Sequence, residues 1–177
     1  MRFLDRALRE RTGWPVMDAT ILAEEFAALK WSIPRVLIVE NKAVFLCLPE
    51  IPDTLAILGS GKAVSLCHAC GWMDGSEIVY WGDCDEAGYG ILSLLRSRFP
   101  HARTVLMDLQ SWERWKRFAV PGKRDPGARC DHLTASEAEA LDAILAGPWM
   151  LEQERIPPDA AEEAIGSAFV ARPRSLL

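Results

Sequence analysis

Apolar residues recur at helical spacing along PVMDATILAEEFAALKW, which predicts an amphipathic helix over 16–31, opened after Pro15 and ended near the Ser-Ile-Pro that follows. RVLIVE (35–40) is a continuous apolar run between Arg35 and Glu40, and its length and β-branching predict a buried strand. AVFLCLP (43–49) reads as a short second strand. TLAILGSG (54–61) reads as a third, its glycines opening a helix from about Lys62 to Cys70. EIVYWGD (77–83) is a fourth. EAGYGILSLLRSRF then predicts a helix with Ile91, Leu92, Leu94, Leu95 and Phe99 inward, and RTVLMD (103–108) a further strand ending in an acid. Beyond Asp108 follow a basic, Trp-containing segment, a Gly/Pro-rich loop (PGKRDPGAR), and a helix opened by Thr134 or Ser136. A short helix at LEQERI and a helical tail, PPDAAEEAIGSAF, close the chain.

Strands that alternate with glycines, acids and helices predict an α/β, Rossmann-like fold: a mainly parallel sheet with helices on both faces and a helical C-terminal extension. The expected organisation is a helical lead-in over 1–34, a central α/β domain over 35–156 and a tail over 157–177.

Composition narrows the class. The 177 residues suit one core, and no apolar run approaches the roughly 18 to 20 residues of a membrane span. The opening MRFLDRALRERTGW has no apolar core followed by a small-residue cleavage site, so a cytoplasmic protein with no membrane partner is expected. A formal net charge of −5 argues against coating nucleic acid by bulk electrostatics. Locally the balance reverses. Arg114, Lys116, Arg117, Lys123, Arg124 and Arg129 face only Glu113 and Asp125. That basic island reads either as a solvated loop or as a contact for a phosphate backbone, with Trp112 and Trp115 either core or stacking groups. Five cysteines without an export signal point to reduced thiols. Cys67 and Cys70, with Cys130 and His132, number enough for a zinc site, but the spacing is poor, and small buried hydrophobes are the better reading of the CxxC pair.

Three predicted strands end in acids: Glu40, Asp83 with Asp85, and Asp108. In an open α/β sheet those strand ends line the crevice where ligands bind. Several carboxylates meeting there repel one another unless a cation sits among them. Hard oxygen ligands select Mg²⁺ or Mn²⁺, which polarises a phosphodiester and activates water. Residues two apart on an extended chain share a side, so Asp83 and Asp85 are able to serve one ion or bridge two. Gly88 allows the next helix to pack tightly, with its N-terminal amides near an anionic substrate. Asp85 also reads as the N-cap of that helix.

VLIVEN, followed some forty residues later by YWGDCDEAG, resembles the Toprim domain of topoisomerases, primases and certain nucleases. The series VLIVENKAVFLCLP, ILGSGKAVSL, YWGDCDEAGYGILSLLRSRFPHARTVLMD and LEQERI is similar to the C-terminal domain of the Wadjet plasmid-defence subunit JetD, a relative of the DNA-cleaving subunit of type IIB topoisomerases. The resemblance implies metal-dependent cleavage of double-stranded DNA, with Glu40, Asp83 and Asp85 as catalytic and metal-binding residues and Mg²⁺ or Mn²⁺ as cofactor. Asp108 and Glu154 are candidate further ligands, and Lys62 a candidate phosphate contact beside the basic island. It implies a condensin-like SMC complex as partner, with a homodimer as one compatible assembly. Family members usually carry an N-terminal winged-helix region, and fewer than forty residues precede the first Toprim strand here, so a fragment or a minimal homologue is expected. The only tyrosines are Tyr80 and Tyr89, which favours hydrolysis over covalent strand passage. Two alternatives stand beside this reading: a phosphatase of the haloacid dehalogenase type, with Asp83 as nucleophile, and a catalytically silent Toprim module for DNA binding or assembly.

Overall fold

A computed structural model describes residues 1–59 and 61–170, the side chains at 62, 63 and 170 excepted. Strands β1 (Arg2–Phe3), β2 (Arg35–Val39), β3 (Thr54–Leu58), β4 (Glu77–Trp81) and β5 (Arg103–Thr104) form one sheet in the order β1-β3-β2-β4-β5. β2 runs parallel to both β3 and β4, β4 runs parallel to β5, and β1 is antiparallel to β3. Val36, Leu37, Ile38 and Val39 are completely buried. That explains the unbroken apolar run in RVLIV, because a parallel strand covered on both faces has no solvent side on which to place polar residues.

The connections reverse direction at the centre of the sheet. Helix α3, the third in chain order (Lys42–Cys47), links β2 to β3 on one flank, and α4 (Glu86–Arg98) links β4 to β5 on the other. Right-handed crossovers leaving in opposite directions put their helices on opposite faces. A crevice therefore opens between the carboxyl ends of β2 and β4. The remaining helices are α1 (Arg6–Thr12), α2 (Ala23–Ala28), α5 (Leu109–Trp115), α6 (Ala135–Leu145) and α7 (Pro158–Val170). One hydrophobic cluster runs from Phe3 through the sheet to Phe169. No helix among the described residues is long and apolar enough to cross a membrane.

Several elements differ from the sequence reading. AVFLCLP forms α3 and not a strand, because the Asn41 side chain accepts hydrogen bonds from the amides of Ala43 (2.8 Å) and Val44 (3.1 Å) and starts a helix directly after β2. The helix expected over 16–31 shrinks to the six residues of α2, while Arg2 bridges Asp18 in extended conformation. RTVLMD pairs only at Arg103 and Thr104, since Leu106 adopts a left-handed φ of 61° and turns the chain. The expected helix near 62–70 is a 3-10 helix over Gly61–Ala69, and LEQERI holds a 3-10 turn at Gln153–Arg155. Two-residue strands escaped prediction: β1, and the antiparallel pair β6 (Val120–Pro121) and β7 (Trp149–Met150). The end of the predicted tail, 171–177, lies outside the described residues.

Candidate metal centre

Glu40 is the first residue beyond β2, and Asp83 and Asp85 follow β4 across the crevice. The two strands are in register to their last pair, Val39 with Trp81, so the acids leave the sheet at the same level. Glycines make room for them. A Cβ at Gly82 would collide with the Glu40 carboxylate and the Tyr80 hydroxyl, and one at Gly88 would strike the Asp83 carbonyl. Only a residue without a side chain lets α4 approach the acid-bearing loop this closely.

Burial leads the electrostatics. It raises the Glu40 carboxyl to about 7, opposed by the hydrogen bond that Tyr80 Oη donates to Glu40 Oε1 and reinforced by the charges of Asp83 and Asp85. It raises Asp83 to about 6, opposed by the Gln153 amide, which donates to Asp83 Oδ1 at 2.8 Å, and reinforced by Asp85, Glu154 and Glu152. The Asp85 carboxyl is also raised by burial, restrained by the amides of Gly88 and Ala87. Asp85 does cap α4, accepting from Gly88 N at 2.8 Å. The leading charge effects on all three acids therefore come from other carboxylates, the condition under which a cation is favoured.

The LEQERI segment, from which the sequence singled out only Glu154, closes the crevice from the C-terminal side. Cys84 and Leu151 exchange backbone hydrogen bonds at 2.9 and 3.2 Å. Next to this bridge Gln153, 1% exposed, accepts with Oε1 from the amides of Glu40 (3.1 Å) and Asn41 (2.7 Å) and donates with Nε2 to the Trp81 carbonyl (2.7 Å). Glu154 Oε2 accepts from Asn41 Nδ2 at 2.7 Å, so this acid stands beside the crevice. Nothing in its spacing from residue 83 marks Gln153 as part of the site.

Other candidates fall elsewhere. Asp108 caps α5, accepting from Ser111 N at 2.7 Å. Lys62, the expected phosphate contact, has a side chain outside the described residues. In the basic island Trp112 and Trp115 are buried core residues and not open stacking platforms. The exposed guanidiniums of Arg114 and Arg117 lie 4.8 and 4.7 Å from the ring centroids of Trp115 and Phe118. Lys116 pairs with Glu113 at 2.5 Å, and Arg124 donates to the carbonyls of Leu145 and Gly147. Lys123 is exposed. Tyr80 and Tyr89 are fully buried, Tyr89 donating to the Met107 carbonyl at 2.7 Å, so neither hydroxyl is presented to a substrate.

Among the described residues, no three His, Cys, Asp or Glu side chains are gathered so as to hold a metal ion by themselves. The zinc set weighed from the sequence, Cys67 and Cys70 with Cys130 and His132, is not gathered among these residues, and a structural zinc needs four protein ligands in place. Cys67 and Cys70 are buried, their thiols raised by desolvation to about 12 and about 11. Mg²⁺ differs, since one or two carboxylates hold it while water and phosphate oxygens complete its shell. The donor set here, desolvated carboxylate oxygens with an excess of negative charge, suits that chemistry.

Compared with known families, residues 1–165 match the model described as Wadjet protein JetD, C-terminal. No curated protein matches the chain.

Proposed function

The chain belongs to the family of Wadjet JetD C-terminal domains, which gives it a role in that defence system, and we propose that it is the system's Mg²⁺- or Mn²⁺-dependent DNA endonuclease, acting in the cytoplasm by phosphodiester hydrolysis. The observation that carries this reading is the meeting of Glu40 and Asp83, from two neighbouring parallel strands, across the point where the sheet's connections reverse. Each carboxyl is partly buried and raised in part by acidic neighbours. Glu40 and Asp83 would hold the ion, with Asp85, which also caps α4, and Glu154 beside them at the rim. When bound, such an ion polarises the scissile phosphate and lowers the pKa of a water.

The chain's own groups do the positioning. Tyr80 holds one oxygen of Glu40 and so fixes the orientation of that carboxyl at the crevice. The Gln153 amide fixes one oxygen of Asp83 and leaves its second for a ligand. Burial of both tyrosines favours hydrolysis over a covalent tyrosine link to DNA. Double-stranded DNA, delivered by a condensin-like SMC complex, is the proposed substrate, with Arg114, Arg117 and Lys123 as backbone contacts. Nicking of supercoiled plasmid by the assembled complex tests the reading. Wild type should nick with Mn²⁺, and Glu40→Ala and Asp83→Ala should each lose at least about 100-fold in rate, the scale of removing a charge-stabilising group from a reaction centre. Nicking by Glu40→Ala at the wild-type rate would refute it.

A further inference from the structure

β2 and β4 share a hydrogen-bonded ladder only as far as Val39 and Trp81. Past that pair the chains diverge, β2 into the cap of α3 and β4 into the loop carrying Asp83 and Asp85. Two amide donors, on Glu40 and Asn41, and one acceptor, the Trp81 carbonyl, are left without a partner strand at the level of the acids. Gln153 supplies what the ladder no longer does. Its carboxamide behaves as a peptide group set between the two chains: Oε1 receives the amides of residues 40 and 41, and Nε2 gives a proton to the Trp81 carbonyl. Its own backbone amide holds Asp83 Oδ1. One buried residue thus touches both strand ends and one acid.

We propose that Gln153 is a positioning residue that sets the distance between Glu40 and the Asp83–Asp85 pair, so that a divalent cation meets a pre-spaced set of carboxylates. The inference rests on the metal-dependent reading above. Its chemistry requires an amide: a donor faces the carbonyl of Trp81 and an acceptor faces two N–H groups, and among side chains of this length only that of Gln provides both in one planar group. Remote consequences follow from the same geometry. Because Leu151 bridges Cys84, the Gln153 backbone is anchored independently of its side chain, and a substitution there loosens the acids without releasing the segment.

The test is Mn²⁺ binding to the full chain by titration calorimetry, with thermal unfolding of each variant alongside. Gln153→Met keeps the volume but neither hydrogen-bonding group, and Gln153→Asn stays polar but is one methylene too short to span both ends. Leu8→Ala, in the core on α1, is a comparator that lowers stability far from the acids. The expected result is that both Gln153 variants weaken Mn²⁺ binding roughly 10- to 100-fold, the range for losing a partner that orients a metal ligand, while Leu8→Ala melts earlier and binds as wild type does. Should the folded Gln153 variants bind within twofold of wild type, the positioning role is overturned while the endonuclease reading stands. Equal weakening in Leu8→Ala would assign the effect to stability and overturn it as well. If wild type itself takes up no Mn²⁺, the endonuclease reading fails, and this inference with it.

Discussion

At the scale of single residues the site is defined by repulsion among charges. A carboxyl raised in the folded state stabilises the fold only while protonated. For Glu40 that contribution is complete below its ordinary value of 4.5 and is lost as the pH rises through about 7. Ionised Glu40, desolvated and facing two aspartates, therefore works against folding when no cation is present. Gln at this position still accepts from Tyr80 but carries no charge. In metal-free protein, Glu40→Gln is expected to be more stable than wild type at pH 8, by about 1–3 kcal/mol, and the gap to close near pH 4. Urea unfolding at the two pH values checks this, and an equal difference at both would show that the carboxyl does not titrate in this range. Adding Mn²⁺ at pH 8 should narrow the gap, since only wild type gains from the ion. The residue types at the site were legible in the sequence, as acids at strand ends. Gly88 was legible as a place where the next helix packs tightly, and Gly82 carried no reading of its own. That they are voids for the Glu40 carboxylate and the Asp83 carbonyl required the fold.

At the scale of elements, caps decided what periodicity could not. KAVFLC carries no alternation that separates strand from helix, and the Asn41 side chain settles it by satisfying two amides. α6 is fastened similarly. Its capping box pairs Thr134 with Glu137, and the same Glu137 carboxylate receives Arg96 of α4 and the Thr104 hydroxyl of β5. Burial pushes the Glu137 carboxyl up, but the hydrogen bonds of Arg96, Thr104 and Thr134, with the Arg96 charge, outweigh it and hold it below its usual range. The basic island, which runs from α5 into the segment after it, holds two kinds of cation. Arg124 binds helix-end carbonyls and Lys116 binds Glu113, whereas Arg114 and Arg117 rest on aromatic rings with their donors open. If α5 and the 3-10 turn after it lie against DNA, Arg114→Gln with Arg117→Gln should reduce the slope of log K against log[salt] by about 1.8, roughly 0.9 for each phosphate no longer neutralised. Lys116→Gln should leave that slope within error. Binding measured by fluorescence anisotropy at four salt concentrations decides it; an unchanged slope in the double variant would return α5 to the solvated surface.

For the whole molecule, the reversal of connections and the closing segment act together. Glu40, Asp83 and Gln153 come from three stretches of chain, and the hydrogen bonds among them make one unit of the crevice floor. Local opening in proteins follows such units. Mn²⁺ is therefore expected to slow amide hydrogen exchange at residues 40–41, 84 and 151–153 together, although 151–153 includes none of the three principal acids. Slowing confined to 40–41 and 84 would show that the closing segment is not part of the unit. From its sequence alone this chain declared an α/β sheet, its central strands and the acids that end them, because continuous apolar runs and strand-end carboxylates are local patterns. It did not declare which strands are neighbours. Placing β2 beside β4, and not merely before β3, brings residues 43 positions apart to one level of the sheet. A buried amide 113 residues from Glu40 then binds both strand ends. Strand order and partners at that separation arise from burying shared apolar faces, a property of the folded whole that no window of sequence contains.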